Sequence, residues 1–174
     1  MPDGSFVCAS DRTDHLPNNG YNCIAYAAGK TDKWWWPTDD PAAYWPPSLP
    51  FEAPGYETLG NFIKAFELEG YKLCKTDRRE NGYEKVALYV DGTGTPTHAA
   101  RSLPDGKWVS KLGKYEDIIH EKPSSVGGNG PYDYGTATTF LRRRNKDFKW
   151  QTKNPLKKLL WFILEILRKL FGWS

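Results

Sequence analysis

The sequence predicts an α+β fold in which two helices precede an antiparallel sheet and a separate amphipathic helix ends the chain. Three patterns support this prediction: a capped Ala-rich segment around residue 23, four strand-like segments between residues 71 and 112, and an amphipathic C-terminal segment. A chain of 174 residues can form one compact domain with a short appendage. We therefore predict a domain over 1–144, a polar linker over 145–154 and a helix over 155–174.

The first predicted element is a short helix that carries Cys23 in its first turn. The residues before it, 1–20, are polar and rich in turn formers. Asn22 can cap the helix, the alanines that follow can propagate it, and Gly29 can end it.

A long aromatic loop and an amphipathic helix follow. The segment from Lys33 to Pro54 contains too many prolines for a helix or an inner strand. The segment from Thr58 to Gly70 has a cap residue at its start and one apolar face, which predicts a helix packed on a sheet. Leu68 falls off that face. The apolar face consists of Leu59, Phe62, Ile63 and Phe66.

The second half of the domain is predicted to be a sheet. The four strand candidates are Tyr71 to Cys74, Lys85 to Val90, Thr97 to Leu103 and Lys107 to Leu112. Short turn sequences separate the last three, which predicts an antiparallel meander. A Gly-rich loop from Ser124 to Gly135 and a final strand or helix from Ala137 to Arg143 complete the domain.

The charge distribution argues against nucleic acid as a partner. The formal net charge of +3 comes entirely from residues 155–174, so the remainder of the chain is neutral. Binding to phosphate backbones draws on clustered Lys and Arg. The basic run Arg142–Arg144 is interpreted as the solvated end of a strand or helix.

The cysteines and the N-terminal segment predict a cytoplasmic protein. Cys8, Cys23 and Cys74 are too few for a disulfide framework, and their spacing with the three histidines does not predict a metal site. The N-terminal residues lack the basic and apolar regions of a secretory signal. We expect no metal and no cofactor.

Cys23 and His98 are the candidate catalytic pair. A thiolate at a helix N-terminus is stabilised by free backbone N–H groups, and a nearby imidazole can accept and return its proton. The alternative for a cysteine in an Ala-rich helix is a small buried apolar residue.

The ordered motifs resemble the NlpC-like branch of papain-fold hydrolases over about residues 21–143. They are Asn22-Cys23, Val86-Ala87-Leu88-Tyr89-Val90, Thr97-His98-Ala99-Ala100-Arg101, Gly106-Lys107-Trp108 and Ser110-Lys111-Leu112-Gly113. The segment from Asn22 through Trp34–Trp36 to His120 also resembles an uncharacterised bacterial domain family related to that branch. The resemblance implies a papain-like fold, Cys23 as nucleophile, His98 as base and Ser110 as the residue that orients the imidazole. Asp117 and His120 are the competing candidates for that third role.

Three functions are compatible with these patterns. The first is a cysteine peptidase or amidase that hydrolyses an amide or ester bond in a peptide-like or acyl substrate, with Asn22, Trp34, Trp35 and Trp36 in its binding cleft. The same tryptophans can instead pack in the core. The alternatives are a non-catalytic module that binds peptide or glycan, and a membrane-acting toxin or effector whose active part is the C-terminal helix.

Residues 155–174 form a cationic amphipathic helix in this prediction. Its charged residues share one side, and its apolar residues occupy a wide arc. The apolar run is shorter than the about 20 residues that span a bilayer. We expect this arc to bind an anionic membrane surface, which would make the protein peripheral, or to mediate self-association or docking on the domain.

Overall fold

The computed structural model describes residues 20–50, 55–113, 115–130 and 133–145, together with the backbone of residues 7–8. The chain divides into two units at the boundary between Arg144 and Asn145. All the helices and strands described below belong to the first unit. The predicted linker and C-terminal helix lie outside the described residues, except for Asn145.

The first unit has a mixed α/β architecture dominated by one antiparallel sheet, which confirms the α+β class. The helices are α1 (Cys23–Ala27) and α2 (Leu59–Leu68), and Pro123–Ser125 form a 3-10 turn. The strands are β1 (Val7–Cys8), β2 (Trp34–Trp35), β3 (Ala43–Tyr44), β4 (Lys72–Cys74), β5 (Tyr83–Val90), β6 (Pro96–Ser102), β7 (Trp108–Lys111), β8 (Asp117–His120) and β9 (Thr136–Arg144).

The main sheet has seven strands in the order β1-β8-β7-β6-β5-β9-β4, and every pair is antiparallel. The predicted meander forms the centre of the sheet as β5-β6-β7. The final segment is a strand, β9, and it returns to lie between β5 and β4. The aromatic loop differs from its prediction, because β2 and β3 form a small parallel pair within it.

Both helices begin where their predicted cap residues place them. Asn22 caps α1 by accepting a hydrogen bond from the Ala25 N–H at 3.1 Å. Thr58 caps α2 by accepting one from the Asn61 N–H at 3.2 Å. The off-face residue Leu68 is exposed.

Two core clusters cover the two faces of the sheet. The alternation of side chains along a strand sends Val86 and Leu88 to one face and Ala87 and Tyr89 to the other. The first face packs against α1 and α2. The second is covered in part by Val126, Tyr134 and other residues around the Gly-rich loop.

Candidate functional site

Cys23 is the first residue of α1, and its side chain is buried. It belongs to the same core cluster as Leu88 and Ala99, so α1 rests its first turn on the centre of the sheet. The position follows from the cap at Asn22, which sets where the helix begins.

Backbone N–H groups act on the Cys23 sulfur. Burial raises the pKa of the thiol, and the N–H groups of Ala99, Ile24 and Cys23 offset part of that rise. The Ala99 N–H belongs to the peptide bond that joins Ala99 to His98. The backbone of His98 therefore lies beside the sulfur.

A gap in strand pairing gives the sulfur access to this peptide. Strands β6 and β7 pair through Arg101 with Val109 and through Ser102 with Trp108. In the described part of the sheet, the first half of β6 has no such partner on β7. An N–H in that half is therefore available to the thiol.

Burial dominates the acid–base behaviour of Cys23. It raises the pKa of the thiol to about 11, and the backbone N–H groups and the Lys111 charge offset only part of this increase. In this conformation the sulfur is protonated at neutral pH.

His98 is completely buried on β6 and is held by aromatic rings. Its imidazole stacks on Tyr134, with ring centroids 3.9 Å apart, and meets the edge of Tyr89 at 5.2 Å. Neither ring nitrogen has a hydrogen-bond partner in the described structure. Burial, and then the charge of His120, lowers the pKa of His98 to about 3, so the ring is a neutral base.

The thiol and the imidazole approach β6 from different faces. His98 pairs with Tyr89 across the ladder, and Tyr89 belongs to the core cluster on the face away from α1. The structure thus brings Cys23 next to the backbone of His98 and leaves their side chains without a mutual hydrogen bond.

Ser110 contacts His120 rather than His98. Its Oγ lies 2.9 Å from His120 Nε2, and His120 Nδ1 lies 2.8 Å from the Lys122 carbonyl oxygen. A carbonyl only accepts, so Nδ1 carries the proton and the Ser110 hydroxyl donates to Nε2. Ser110 can affect His98 only through His120, whose charge acts on His98.

Asp117 belongs to a different cluster, next to the start of α1. Its Oδ1 lies 3.4 Å from Lys111 Nζ, and its Oδ2 accepts a hydrogen bond from the Tyr21 hydroxyl at 3.0 Å. The Lys111 ammonium also lies 4.5 Å from the centre of the Tyr21 ring. Lys111 and Tyr21 were given no role from the sequence; the available signal was a lysine inside a predicted strand.

Tyr134 is a third residue that was given no role from the sequence. Burial and the Cys23 charge raise the pKa of its hydroxyl to about 12, and its ring stacks on His98. The Thr97 hydroxyl donates to the Tyr134 carbonyl at 2.6 Å, which ties the end of the Gly-rich loop to β6. Tyr134 is therefore close to both members of the predicted pair.

The tryptophans predicted to bind substrate occupy different environments. Trp35 is buried in the core and packs on Tyr44. Trp36 packs against Phe62, and its Nε1 donates to Glu57 at 2.6 Å. Trp34 is half-buried at the start of β2.

The Asn22 side chain forms its hydrogen bonds with backbone groups. Its Nδ2 donates to the Trp35 carbonyl at 2.7 Å, and its Oδ1 accepts from the Trp35 N–H at 3.3 Å as well as from Ala25. Asn22 thus joins α1 to β2.

Among the described residues, no cluster of three or more His, Cys, Asp or Glu side chains could hold a metal ion. No helix in this part of the chain is long and apolar enough to cross a membrane.

The fold and the site define a mixed α/β domain with a cysteine-bearing helix on an antiparallel sheet. The chain belongs to the family described as a domain of unknown function, DUF7689, whose profile matches residues 12–142. No curated protein and no solved structure matches the chain.

Proposed function

We propose that the chain is a papain-like cysteine hydrolase that cleaves an amide or ester bond, with Cys23 as nucleophile and His98 as base. The observation that supports the proposal is that Cys23, the first residue of α1, packs in one core cluster with Ala99, which follows the candidate base His98 on β6. We also propose a cytoplasmic location, because three cysteines are too few for a disulfide framework.

The reaction requires the His98 imidazole to leave Tyr134 and reach the sulfur past the edge of β6, where this strand has no described partner on β7. The imidazole then accepts the thiol proton, and the thiolate attacks the substrate carbonyl carbon to form a carbon–sulfur bond. The imidazolium returns the proton to the leaving amine or alcohol as its bond to carbon breaks. Water, deprotonated by His98, hydrolyses the resulting thioester and regenerates the thiol.

The resting pair is inactive in this proposal. A thiol with a pKa of about 11 and an imidazole with a pKa of about 3 are both neutral at pH 7, and no proton passes between them. When His98 lies beside the sulfur, the thiolate charge raises the pKa of His98. The imidazolium charge in turn lowers the pKa of Cys23.

The test uses an activated acyl ester and a panel of peptide anilides. We expect wild-type protein to form a thioester on Cys23, detected by mass spectrometry, and to release product. Cys23→Ala and His98→Ala should each remove nearly all turnover, with no further loss in the double variant, because the two groups act as one unit. Ser110→Ala should cost less, since its only described side-chain partner is His120.

The matched control is Cys74→Ala, which removes a second free thiol away from the sheet centre and should leave turnover unchanged. Undiminished turnover in Cys23→Ala would contradict the proposal. A thioester that forms equally in His98→Ala would show that another group acts as base.

A non-catalytic module that binds a peptide-like ligand is the second candidate. The neutral state of both Cys23 and His98 and the missing hydrogen bond between them favour it. It predicts no thioester with any acyl ester and no change in ligand binding in Cys23→Ala.

A further inference from the structure

Lys111 is a buried lysine beside the start of α1. It is 1% exposed, and its ammonium donates to the Tyr115 carbonyl at 2.8 Å. Asp117 Oδ1 lies 3.4 Å away, and the Tyr21 ring covers another side of the charge. These contacts hold the ammonium in one position.

A buried ion pair of this kind is poor evidence for a role in stability. Removing two charges from water costs several kcal/mol per ion, and well-packed apolar side chains often stabilise a fold equally well. The Lys111–Asp117 pair therefore calls for another reason to be present at this place.

The Lys111–Asp117 pair contacts Tyr21, which lies in the segment that carries Cys23. Tyr21 is two residues before Cys23, and its hydroxyl donates to Asp117. Helix α1 also packs directly on β7, the strand that carries Lys111. The Lys111 charge acts on the sulfur and lowers its pKa.

We propose that Lys111, held by Asp117 and Tyr21, is the positive charge that stabilises the Cys23 thiolate. This inference rests on the proposed function in one respect, that the thiolate is the form of Cys23 that reacts. It makes Lys111 a positioning and charge-balancing residue rather than a catalytic one, because the ammonium is already enclosed by protein groups.

Two single variants separate a charge effect from structural damage. Lys111→Met removes the cation, which should lower the thiolate population. Asp117→Asn removes the anion that partly cancels the cation, which should raise it. Damage that merely opens the domain would speed the reaction of Cys23 in both variants.

The measurement is the rate of alkylation of Cys23 by iodoacetamide at pH 7, read by peptide mass spectrometry. All variants are labelled at the same pH and ionic strength, so their rates are directly comparable. We expect Lys111→Met to slow labelling by about threefold, equivalent to about half a pKa unit, and Asp117→Asn to accelerate it. Lys111→Arg should label at nearly the wild-type rate.

The double variant and a matched lysine complete the experiment. Lys111→Met with Asp117→Asn should label more slowly than Asp117→Asn alone, because the double variant lacks the cation. Lys85→Met should leave the rate unchanged; Lys85 is also buried, at 3% exposed, but it donates to the Thr76 carbonyl at 2.8 Å and lies near Glu80.

The inference is overturned by an unchanged or faster rate in Lys111→Met, or by a double variant that stays as fast as Asp117→Asn. If Lys111→Met does not fold, Lys111→Gln replaces it in the same comparison with Lys111→Arg. If Lys111→Met slows labelling but no acyl ester gives a thioester, the hydrolase proposal is refuted and this inference stands. Cys23-dependent hydrolysis together with an unchanged labelling rate in Lys111→Met would support the hydrolase proposal and refute this inference.

Discussion

At the scale of single residues, the burial of His98 without a hydrogen bond costs folding free energy. A fully buried imidazole without a hydrogen-bond partner loses the stabilisation that water gives to it in the unfolded chain. Stacking on Tyr134 and the edge contact with Tyr89 offset part of that loss. A catalytic role would explain why a histidine occupies this position rather than a third aromatic ring.

His98 should make the domain sensitive to mild acid. Its pKa is about 3 when folded and has an ordinary value of 6.5, so between these values the unfolded chain binds a proton that the folded chain does not. Stability is therefore lost as pH falls below about 6.5, at up to about 1.4 kcal/mol per pH unit. His120, whose pKa is also lowered by burial, adds a loss of the same sign.

Urea unfolding at pH 7.5 and pH 5.5 tests this expectation. His98→Phe keeps an aromatic ring against Tyr134 and removes the titrating group, so its loss of stability between the two values should be smaller than that of wild type by about 1.4 kcal/mol. This window lies above the range in which most carboxylates titrate. Identical losses in the two proteins would show that His98 exchanges protons freely in the folded state.

Chemical roles at this scale were only partly predictable from sequence. The cap at Asn22 predicted where Cys23 stands in α1, because capping is a local interaction. The partner of Ser110 was not predictable, since β8 was not recognised as a strand and its register brings His120 to Ser110. Lys111, Asp117 and Tyr21 meet only through the same non-local pairing.

At the scale of secondary structure, the Asn22 side chain joins α1 to β2 by hydrogen bonds. Asn22 caps α1 and hydrogen-bonds both polar groups of the Trp35 backbone. Asn22→Ala should destabilise the domain by about 2–4 kcal/mol, from a lost cap of about 1 kcal/mol and buried Trp35 groups left unpaired at about 1–3 kcal/mol.

Thermal and urea unfolding provide the measurement, with Thr58→Ala as the matched control. Thr58 caps α2 with a single bond to the Asn61 N–H, so its loss should cost only about 1 kcal/mol. Equal costs at the two caps would show that the Trp35 bonds contribute nothing beyond the helix end.

Elements with local sequence signals, including the edge strand β4, were predicted, whereas the pairing of distant strands was not. The helix over α2 and the meander β5-β6-β7 follow from apolar periodicity and turn sequences. The short strands β2 and β3 lie in a proline-rich loop that gives no such periodicity. The placement of β9 between β5 and β4 follows from no short-range pattern.

Strand β9 also explains the basic run at its end. Arg142 forms an ion pair with Glu80, and Arg143 forms one with Glu84. The Arg143 guanidinium lies 4.4 Å from the centre of the Tyr71 ring and donates to the Glu69 carbonyl at 3.0 Å. Arg142 and Arg143 are therefore partly buried structural charges, and only Arg144 is an exposed strand end.

At the scale of the whole molecule, charge is unevenly distributed along the chain. Residues 1–154 are neutral and contain the candidate site, whereas residues 155–174 contain the whole formal net charge and the apolar residues that are predicted to form a wide helical arc. Such an arc is stable in water only when a membrane, another chain or the domain covers it. We propose that it binds an anionic membrane surface and so makes the protein peripheral.

The last prediction is that this segment gives the full chain a micromolar affinity for anionic vesicles. Each Lys or Arg near an anionic bilayer contributes about 1 kcal/mol, and each buried Leu, Ile or Phe side chain contributes about 1.5–3 kcal/mol before partial burial and helix ordering reduce the sum. A total near 8 kcal/mol corresponds to a micromolar Kd. Sedimentation with anionic and neutral vesicles should pellet the full chain preferentially with the anionic ones, whereas a truncation after Asn154 should stay in solution.

A charge variant of the full chain separates electrostatic attraction from apolar burial. It replaces the four basic residues of the segment with Gln, and it should lose the preference for anionic lipid while the apolar arc is unchanged. The positions are Lys157, Lys158, Arg168 and Lys169. Equal pelleting of the full chain and the truncation would refute membrane binding, and a full-length dimer that becomes a monomer on truncation would assign the arc to self-association. Leakage of vesicle contents caused by the isolated segment would instead support a toxin or effector, because a peripheral anchor binds the surface without opening the bilayer.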